Sequence, residues 1–190
     1  METSKLLDPN LDYFIIHSIN GYNFNIEDQE HNVIGKIKNK EGFVTKHILL
    51  LDSTGSQICK LSKNKWTFFT NTYEVRDSGG KTIGIMKRKM FKSSSGMRME
   101  NSNGNLILSN YKSYGEKCTE IEDSDGKTIA KFCFDDKKGD FPDKYFFDSI
   151  PPIFFIQILD NSFDRKKLLS FFICLYNEML EEQLAPSSYC

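Results

Sequence analysis

The sequence lacks three features that would assign a protein class at once: a large net charge, a cluster of metal-ligating residues and an apolar run long enough to span a bilayer. Its formal net charge is −1 over 190 residues, so no overall field attracts nucleic acid, and no nucleic-acid partner is expected. The five cysteines are scattered without a C-x-x-C pair. We therefore expect no zinc site, no cofactor and reduced thiols.

The start of the chain places no apolar segment behind a positive charge, so no signal peptide is expected. Together with the expected free thiols, this predicts an intracellular, cytoplasmic protein, either free or peripheral at membranes.

Turn-forming residues are abundant, and they recur at a regular period. Five acidic or polar turns begin 24, 25, 24 and 22 positions apart, and the last four of them contain glycine. The turns span residues 28–32, 52–55, 77–80, 101–104 and 123–126. A period near 24 with a turn at its centre predicts one β-hairpin per repeat. About a dozen short antiparallel strands follow, with a bulge expected after Gly80, where the apolar alternation changes register.

One segment near the end of the chain has helical character instead. We expect a helix over about residues 163–183, capped by Ser162 or Asp164. Its middle is apolar on every side, but the charged residues that flank it leave too few apolar positions to span lipid. The sequence therefore predicts a mainly β protein: a closed antiparallel barrel of about 12 strands around a buried hydrophobic C-terminal helix.

The expected domain organisation is simple. Residues 1–10 are predicted to be a flexible tail, residues 11–184 one barrel domain, and residues 185–190 a C-terminal tail.

Several segments together resemble a known family. The repeated D-x-x-G-x-x-I hairpins, the segment 83–89 and the apolar helix 165–172 resemble the tubby C-terminal-like superfamily, in particular its LURP-one-related and phospholipid scramblase branches. The resemblance spans roughly residues 13–184 and implies a twelve-stranded barrel around a C-terminal helix. It also implies contact with phospholipid or phosphoinositide in some branches. The segment 159–164 is shorter than the acidic, calcium-linked segment of scramblases, so the chain looks more like a LURP-one-related protein.

The candidate binding residues are basic. The densest basic run lies on one predicted strand, and two lysines on another strand would extend it if the strands were neighbours. These candidates for binding a lipid headgroup are Lys87, Arg88, Lys89, Lys92, Lys36 and Lys38. The ordinary alternative is a charged outer face that keeps the barrel in solution.

Nothing in the sequence indicates catalysis, and no enzyme is predicted. The three histidines lie near separate strands or turns, and no nucleophile elbow or phosphate loop is present. Asp160 and Asp164 are candidates for metal ligands, but roles as linker and cap residues are favoured for both. The turn 123–126 resembles the opening of a calcium loop, but the twelfth position holds Phe134 in place of glutamate, so a hairpin turn is favoured.

The leading hypothesis is a non-enzymatic binding or adaptor protein of LURP-one-related type that binds an anionic membrane surface. One alternative is a scramblase-like protein that moves lipid between leaflets. The other is a scaffold that binds protein partners and no ligand. The oligomeric state stays open.

Overall fold

The computed structural model describes residues 4–19, 23–64, 72–91, 94–110, 118–134 and 153–184. Within these ranges the side chains of residues 64, 89–91, 94, 95, 134, 153 and 179–184 lie outside the description. Lys92 and the predicted C-terminal tail 185–190 also fall outside the described residues.

The strands form one closed antiparallel barrel. In the described residues they are β1 (Tyr13–Ser18), β2 (Asn23–Glu27), β3 (Val33–Glu41), β4 (Thr45–Asp52), β5 (Gln57–Asn64), β6 (Thr72–Asp77), β7 (Thr82–Phe91), β8 (Ser94–Glu100), β9 (Leu106–Asn110), β10 (Cys118–Asp123), β11 (Thr128–Phe134) and β12 (Ile153–Ile158). Each strand pairs with the next along the chain, and β12 closes the ring by pairing with β1. The predicted barrel of about 12 strands is confirmed.

The five repeated turns share one hydrogen-bonding pattern. In the turn after β4, Asp52 Oδ1 accepts from the backbone N–H groups of Thr54 and Ser56, and Gly55 has a positive φ of 89°. Each of the five hairpins also contains a register shift beside its turn, including the one expected after Gly80. These features match a type I turn that ends in a residue with positive φ and forms a bulge.

Because the strands alternate in direction, all five turns lie at one end of the barrel, which we call the turn end. The strand ends that the other six connections join lie at the opposite end, the loop end. In the described residues, the connection 42–44 is the one loop-end connection that is complete.

The helix α1 (Arg165–Leu184) runs through the barrel from the turn end. Every side chain from residue 168 to residue 178 is buried. Its aromatic rings contact several strands of the wall: Phe172 lies 5.5 Å from the ring of Phe132 on β11, and Tyr176 lies 4.9 Å from that of Phe24 on β2. The predicted enclosure of the helix is confirmed.

The helix begins close to where the sequence placed it. Asp164 caps it, because its Oδ1 accepts from the N–H groups of Lys166 and Lys167. No helix in the described part of the chain is long and apolar enough to cross a membrane.

The first residues do not form the loose tail that was expected, at least from residue 4. Leu6, in a short 3₁₀ helix, is fully buried against Gly35, and Lys5 Nζ lies 2.6 Å from Asp28 Oδ2. The carbonyl of Pro9 accepts a hydrogen bond from Arg165 at the start of α1. An apolar side chain that reaches the core orders this segment.

The expectation that all thiols are reduced is also wrong. Cys118 and Cys133 are register partners on β10 and β11, and they form a disulfide. Cys59 and Cys174 are free and buried. Burial raises the pKa of the Cys59 thiol to about 11, and it also raises that of Cys174.

Candidate functional site

The basic run on β7 is divided between the two faces of the barrel wall. Arg88 lies on the same face of the strand as the fully buried Met86 and points inward, with Nη1 3.8 Å from Glu178 Oε2 on the helix. Lys87 points outward and forms an ion pair with Glu100. The side chain of Lys89 lies outside the described residues. Lys87 and Arg88 therefore do not act on one surface.

Lys36 and Lys38 lie together on β3, on its outer face, because they alternate with the buried Ile37. The strands β4, β5 and β6 separate them from β7. With strands about 4.8 Å apart, four steps along the wall correspond to about 19 Å. The structure brings Lys36 and Lys38 together, but not with Lys87.

The two lysines on β3 belong to a different cationic group. Strand register aligns Lys38 with Leu49 on β4 and Leu49 with Lys60 on β5. Lys40, two residues beyond Lys38, faces the same side of β3. We call Lys36, Lys38, Lys40 and Lys60 the cationic face.

The cationic face is compact, although Glu74 and Asp77 on β6 line a groove together with Lys60. Lys60 is two strands from β3, or about 10 Å. That separation is close to the Debye length at physiological ionic strength, so the four charges act partly together. None of the four forms an ion pair with another described residue.

His47 lies within the cationic face, and the direction of its pKa shift reflects the positive potential there. Its register partners are Lys40 on β3 and Ser62 on β5, whose Oγ is 3.1 Å from His47 Nδ1. Burial lowers the pKa of His47, and the positive charges of Lys60 and Lys40 lower it further. This surface therefore disfavours an additional cation.

An exposed apolar tip adjoins the cationic face at the loop end. The connection between β3 and β4 carries Phe43, which is 89% exposed, and Val44, which is 47% exposed. Lys40 lies three residues before Phe43 on the same hairpin. Ile19, also at the loop end, is exposed as well.

A groove of about 320 Å³ borders the other side of the face, on β5 and β6. Lys60, Glu74, Arg76 and Asp77 are among the residues that line it. Arg76 forms an ion pair with Glu74 at 3.0 Å. Because both signs of charge are present, this groove suits an anion only at the Lys60 side.

A cluster of polar side chains lies inside the barrel near the loop end. Glu178 Oε1 accepts hydrogen bonds from Lys63 and from the hydroxyl of Tyr73. Asn177 donates to the Tyr73 hydroxyl and accepts from Lys46. We call these five residues the interior polar cluster; it links the helix to β4, β5 and β6.

The two acidic candidates for metal ligation have structural partners. Asp160 accepts hydrogen bonds from Lys127 and Ser162, and these bonds hold the pKa of its carboxyl well below the usual range. Asp164 caps the helix. The turn at Asp123 has the same hydrogen-bonding pattern as the other repeats.

Sequence reasoning missed Lys40 and Lys60. Lys40 had a signal, because it continues the alternation of Lys36 and Lys38 along one predicted strand. Lys60 had none, since its proximity depends on the register of β3, β4 and β5.

The fold and this surface can be set beside known proteins. A model of the LURP-one-related family matches residues 15–175. The X-ray structure of an Arabidopsis thaliana protein is similar with a TM-score of 0.61 at 15% sequence identity, and the match covers 93% of this chain and 99% of that one. At that identity the likeness concerns the fold alone. A search of curated proteins found no significant match.

Proposed function

The chain belongs to the LURP-one-related family, and from this premise we propose that it is a non-enzymatic protein that binds the surface of anionic phospholipid membranes. The observation that carries the proposal is the cationic face beside the exposed tip at Phe43 and Val44. Lysines supply attraction to anionic headgroups, and an exposed aromatic ring supplies apolar contact at the membrane interface.

The expected electrostatic attraction is modest. A lysine close to an anionic membrane surface contributes about 1 kcal/mol, so the four lysines of the cationic face would contribute at most about 4 kcal/mol. That free energy corresponds to a dissociation constant near 1 mM. Because the attraction falls off within a Debye length, it weakens as salt is added.

The apolar tip supplies the remainder. Burying a side chain such as that of Phe43 in an apolar environment contributes about 1.5–3 kcal/mol. Together the two terms give about 5–7 kcal/mol, between the millimolar and micromolar ranges. The protein would thus bind membranes reversibly and would release from them at high salt.

The geometry allows both contacts at once. The tip lies at the loop end, and Lys40 and Lys38 follow it along the outer face of β3. A barrel tilted with this hairpin toward the bilayer would insert the ring at headgroup level while the lysines meet lipid phosphates.

The test is vesicle co-sedimentation with phosphatidylcholine alone and with added phosphatidylserine, at low and high salt. We expect excess binding to the anionic vesicles, and we expect that excess to fall with salt. Replacing Lys38, Lys40 and Lys60 by glutamine should remove most of it, whereas Phe43→Ser should weaken binding at both salt concentrations.

The matched control removes the same charge elsewhere: glutamine in place of Lys81, Lys87 and Lys131. This variant also tests Lys87, one of the six basic residues that the sequence had favoured. The proposal fails if wild-type protein shows no preference for anionic vesicles, or if the control loses as much binding as the Lys38, Lys40 and Lys60 variant.

Lipid transfer between leaflets, the scramblase-like alternative, would require α1 to leave the barrel. The interior polar cluster and the contacts of Arg165 hold both ends of the buried segment in place. A lipid-flip assay on reconstituted protein with and without calcium tests this alternative, for which we expect no stimulation.

A further inference from the structure

Two histidines and a glutamate from β1, β2 and the following turn meet on the outer face of the β1–β2 hairpin. His17 lies on β1, Glu27 ends β2, and His31 lies in the following turn. Glu27 Oε2 is 3.3 Å from His17 Nε2 and 3.3 Å from His31 Nδ1, and the three ligand atoms all lie within 4.8 Å of one another. In the described part of the chain this is the one group of three such residues.

The two separations from Glu27 match the edges of a metal coordination sphere, and the two histidine nitrogens lie within 4.8 Å of each other. Zn²⁺ binds histidine nitrogen and carboxylate oxygen at about 2.0–2.2 Å in tetrahedral geometry, so its ligand atoms lie about 3.3–3.6 Å apart. Two imidazoles and one carboxylate are also a ligand set that divalent transition metals prefer. A fourth position would remain for water or an external ligand.

The backbone of His31, whose Nδ1 atom is hydrogen-bonded to Glu27 Oε2, adopts a conformation that is uncommon for residues other than glycine. His31 has a φ of 62° and is the one non-glycine residue with positive φ in the described residues. It occupies the fourth position of its turn, and the other four turns place glycine there: Gly55, Gly80, Gly104 and Gly126. Glycine adopts this conformation without strain, and histidine does not. Of the five turns, this is therefore the one whose fourth residue has a side chain, and that side chain reaches Glu27.

His17 adds a third observation. Its Nε2 atom is buried and forms no hydrogen bond, although Glu27 Oε2 lies 3.3 Å away. A buried polar atom without a partner is unfavourable, whereas a bound cation would satisfy both it and the carboxylate. The ring of His31 approaches that of His17 edge-on, with centroids 6.4 Å apart.

We propose that His17, Glu27 and His31 form a binding site for one divalent transition-metal ion, with Zn²⁺ as the best match. This inference is independent of membrane binding, since the site uses none of the residues of the cationic face or of the Phe43 tip.

The experiment titrates Zn²⁺ into the full chain, freed of metal by EDTA and carrying no histidine tag, and follows binding by calorimetry. Co²⁺ serves as a spectroscopic probe, because tetrahedral Co²⁺ absorbs visible light. We expect one ion per chain, visible absorption with Co²⁺, and a rise in melting temperature with Zn²⁺ that EDTA reverses.

The decisive variant is His31→Gly, which installs the residue found in the other four turns. In EDTA it should melt no lower than the wild type, because glycine accepts the positive φ. It should nevertheless bind Zn²⁺ at least about tenfold more weakly, since even the loss of an outer-shell partner has effects of that size. His17→Ala should lose binding in the same way.

His47→Ala is the matched control, because His47 is the third histidine and lies on another face. It should bind Zn²⁺ as the wild type does. The inference is overturned if the wild type binds no ion, if His31→Gly binds it equally well, or if His47→Ala loses it. Binding that survives in His31→Gly would belong to cysteines or to other sites. A large drop in the melting temperature of His31→Gly in EDTA would also contradict it, because His31 would then have a structural role.

Discussion

Removing the charge of Glu178 tests the enclosure of the helix most directly. The Glu178 side chain is 5% exposed, and Lys63, its partner at 2.9 Å, is 12% exposed. The Tyr73 hydroxyl donates to the same carboxylate oxygen, and Arg88 approaches the other. Glu178→Gln keeps the size and the hydrogen-bonding oxygen but deletes the charge that these cations face.

The expected loss of stability follows from burial. Breaking a buried ion pair by removing one partner costs about 3–5 kcal/mol, because the other charge stays buried without compensation. The Arg88 side chain is 26% exposed, so solvent partly screens its charge. We therefore expect a loss at the lower end of this range, about 3 kcal/mol. For a chain of this length that corresponds to a fall in melting temperature of about 6–12 °C.

The assay is chemical denaturation at pH 7, with melting temperature as a second readout. Glu120→Gln is the matched control, since Glu120 also pairs with a lysine across neighbouring strands, but on the outer face and half exposed. Its effect should be far smaller, because solvent screens exposed pairs.

A double-mutant cycle with Tyr73→Phe isolates the hydrogen bond to Glu178. We expect the two effects to be non-additive by about 0.5–3 kcal/mol, as is usual for residues in contact. Equal effects of Glu178→Gln and Glu120→Gln, or strict additivity with Tyr73→Phe, would refute the placement of Glu178 inside the barrel.

Three further predictions concern the wall of the barrel. Hydrogen bonds, above all the one from Lys5, lower the pKa of Asp28 to about 2. The ionised carboxylate therefore stabilises the fold above about pH 4, and this contribution is lost as the pH falls toward 2. The difference in free energy of unfolding between wild type and Asp28→Asn, measured by denaturation, should close over that pH range. Gly96→Ala should destabilise by about 1–3 kcal/mol in the same assay, because its Cβ would lie 2.5 Å from the backbone oxygen of Asn110. Mass spectrometry after alkylation should find two more labelled cysteines when unfolded protein is reduced first, and no such increase would contradict the bond between Cys118 and Cys133.

Much of the fold could be predicted because its information is local. An aspartate or asparagine that bonds the next backbone amides, followed by glycine, specifies a tight turn wherever it occurs. Five turns begin with such an aspartate or asparagine at one period, and four of them contain glycine, so they predict a meander of hairpins. The helix was equally readable, since a segment apolar on all sides and too short for lipid needs a protein enclosure.

The candidate site was less readable, because it depends on which residues are neighbours across strands. Lys36 and Lys38 were identified correctly as a pair on one strand, but their link to β7 required an adjacency that the strand order does not provide. The disulfide was missed although the hairpin around residues 123–126 aligns its two cysteines. Composition alone does not show which residues of neighbouring strands are paired.

The sequence by itself determined the number of hairpins, the closed barrel and the enclosed helix, because turn chemistry and apolar periodicity act over a few residues. Only the tertiary structure decided which charges share a surface. It turned Arg88 inward to Glu178, set Lys60 beside the lysines of β3, and brought His17 and His31 to one carboxylate. The physical reason is that side chains alternate between two faces of a strand, so strand pairing and register determine which groups meet.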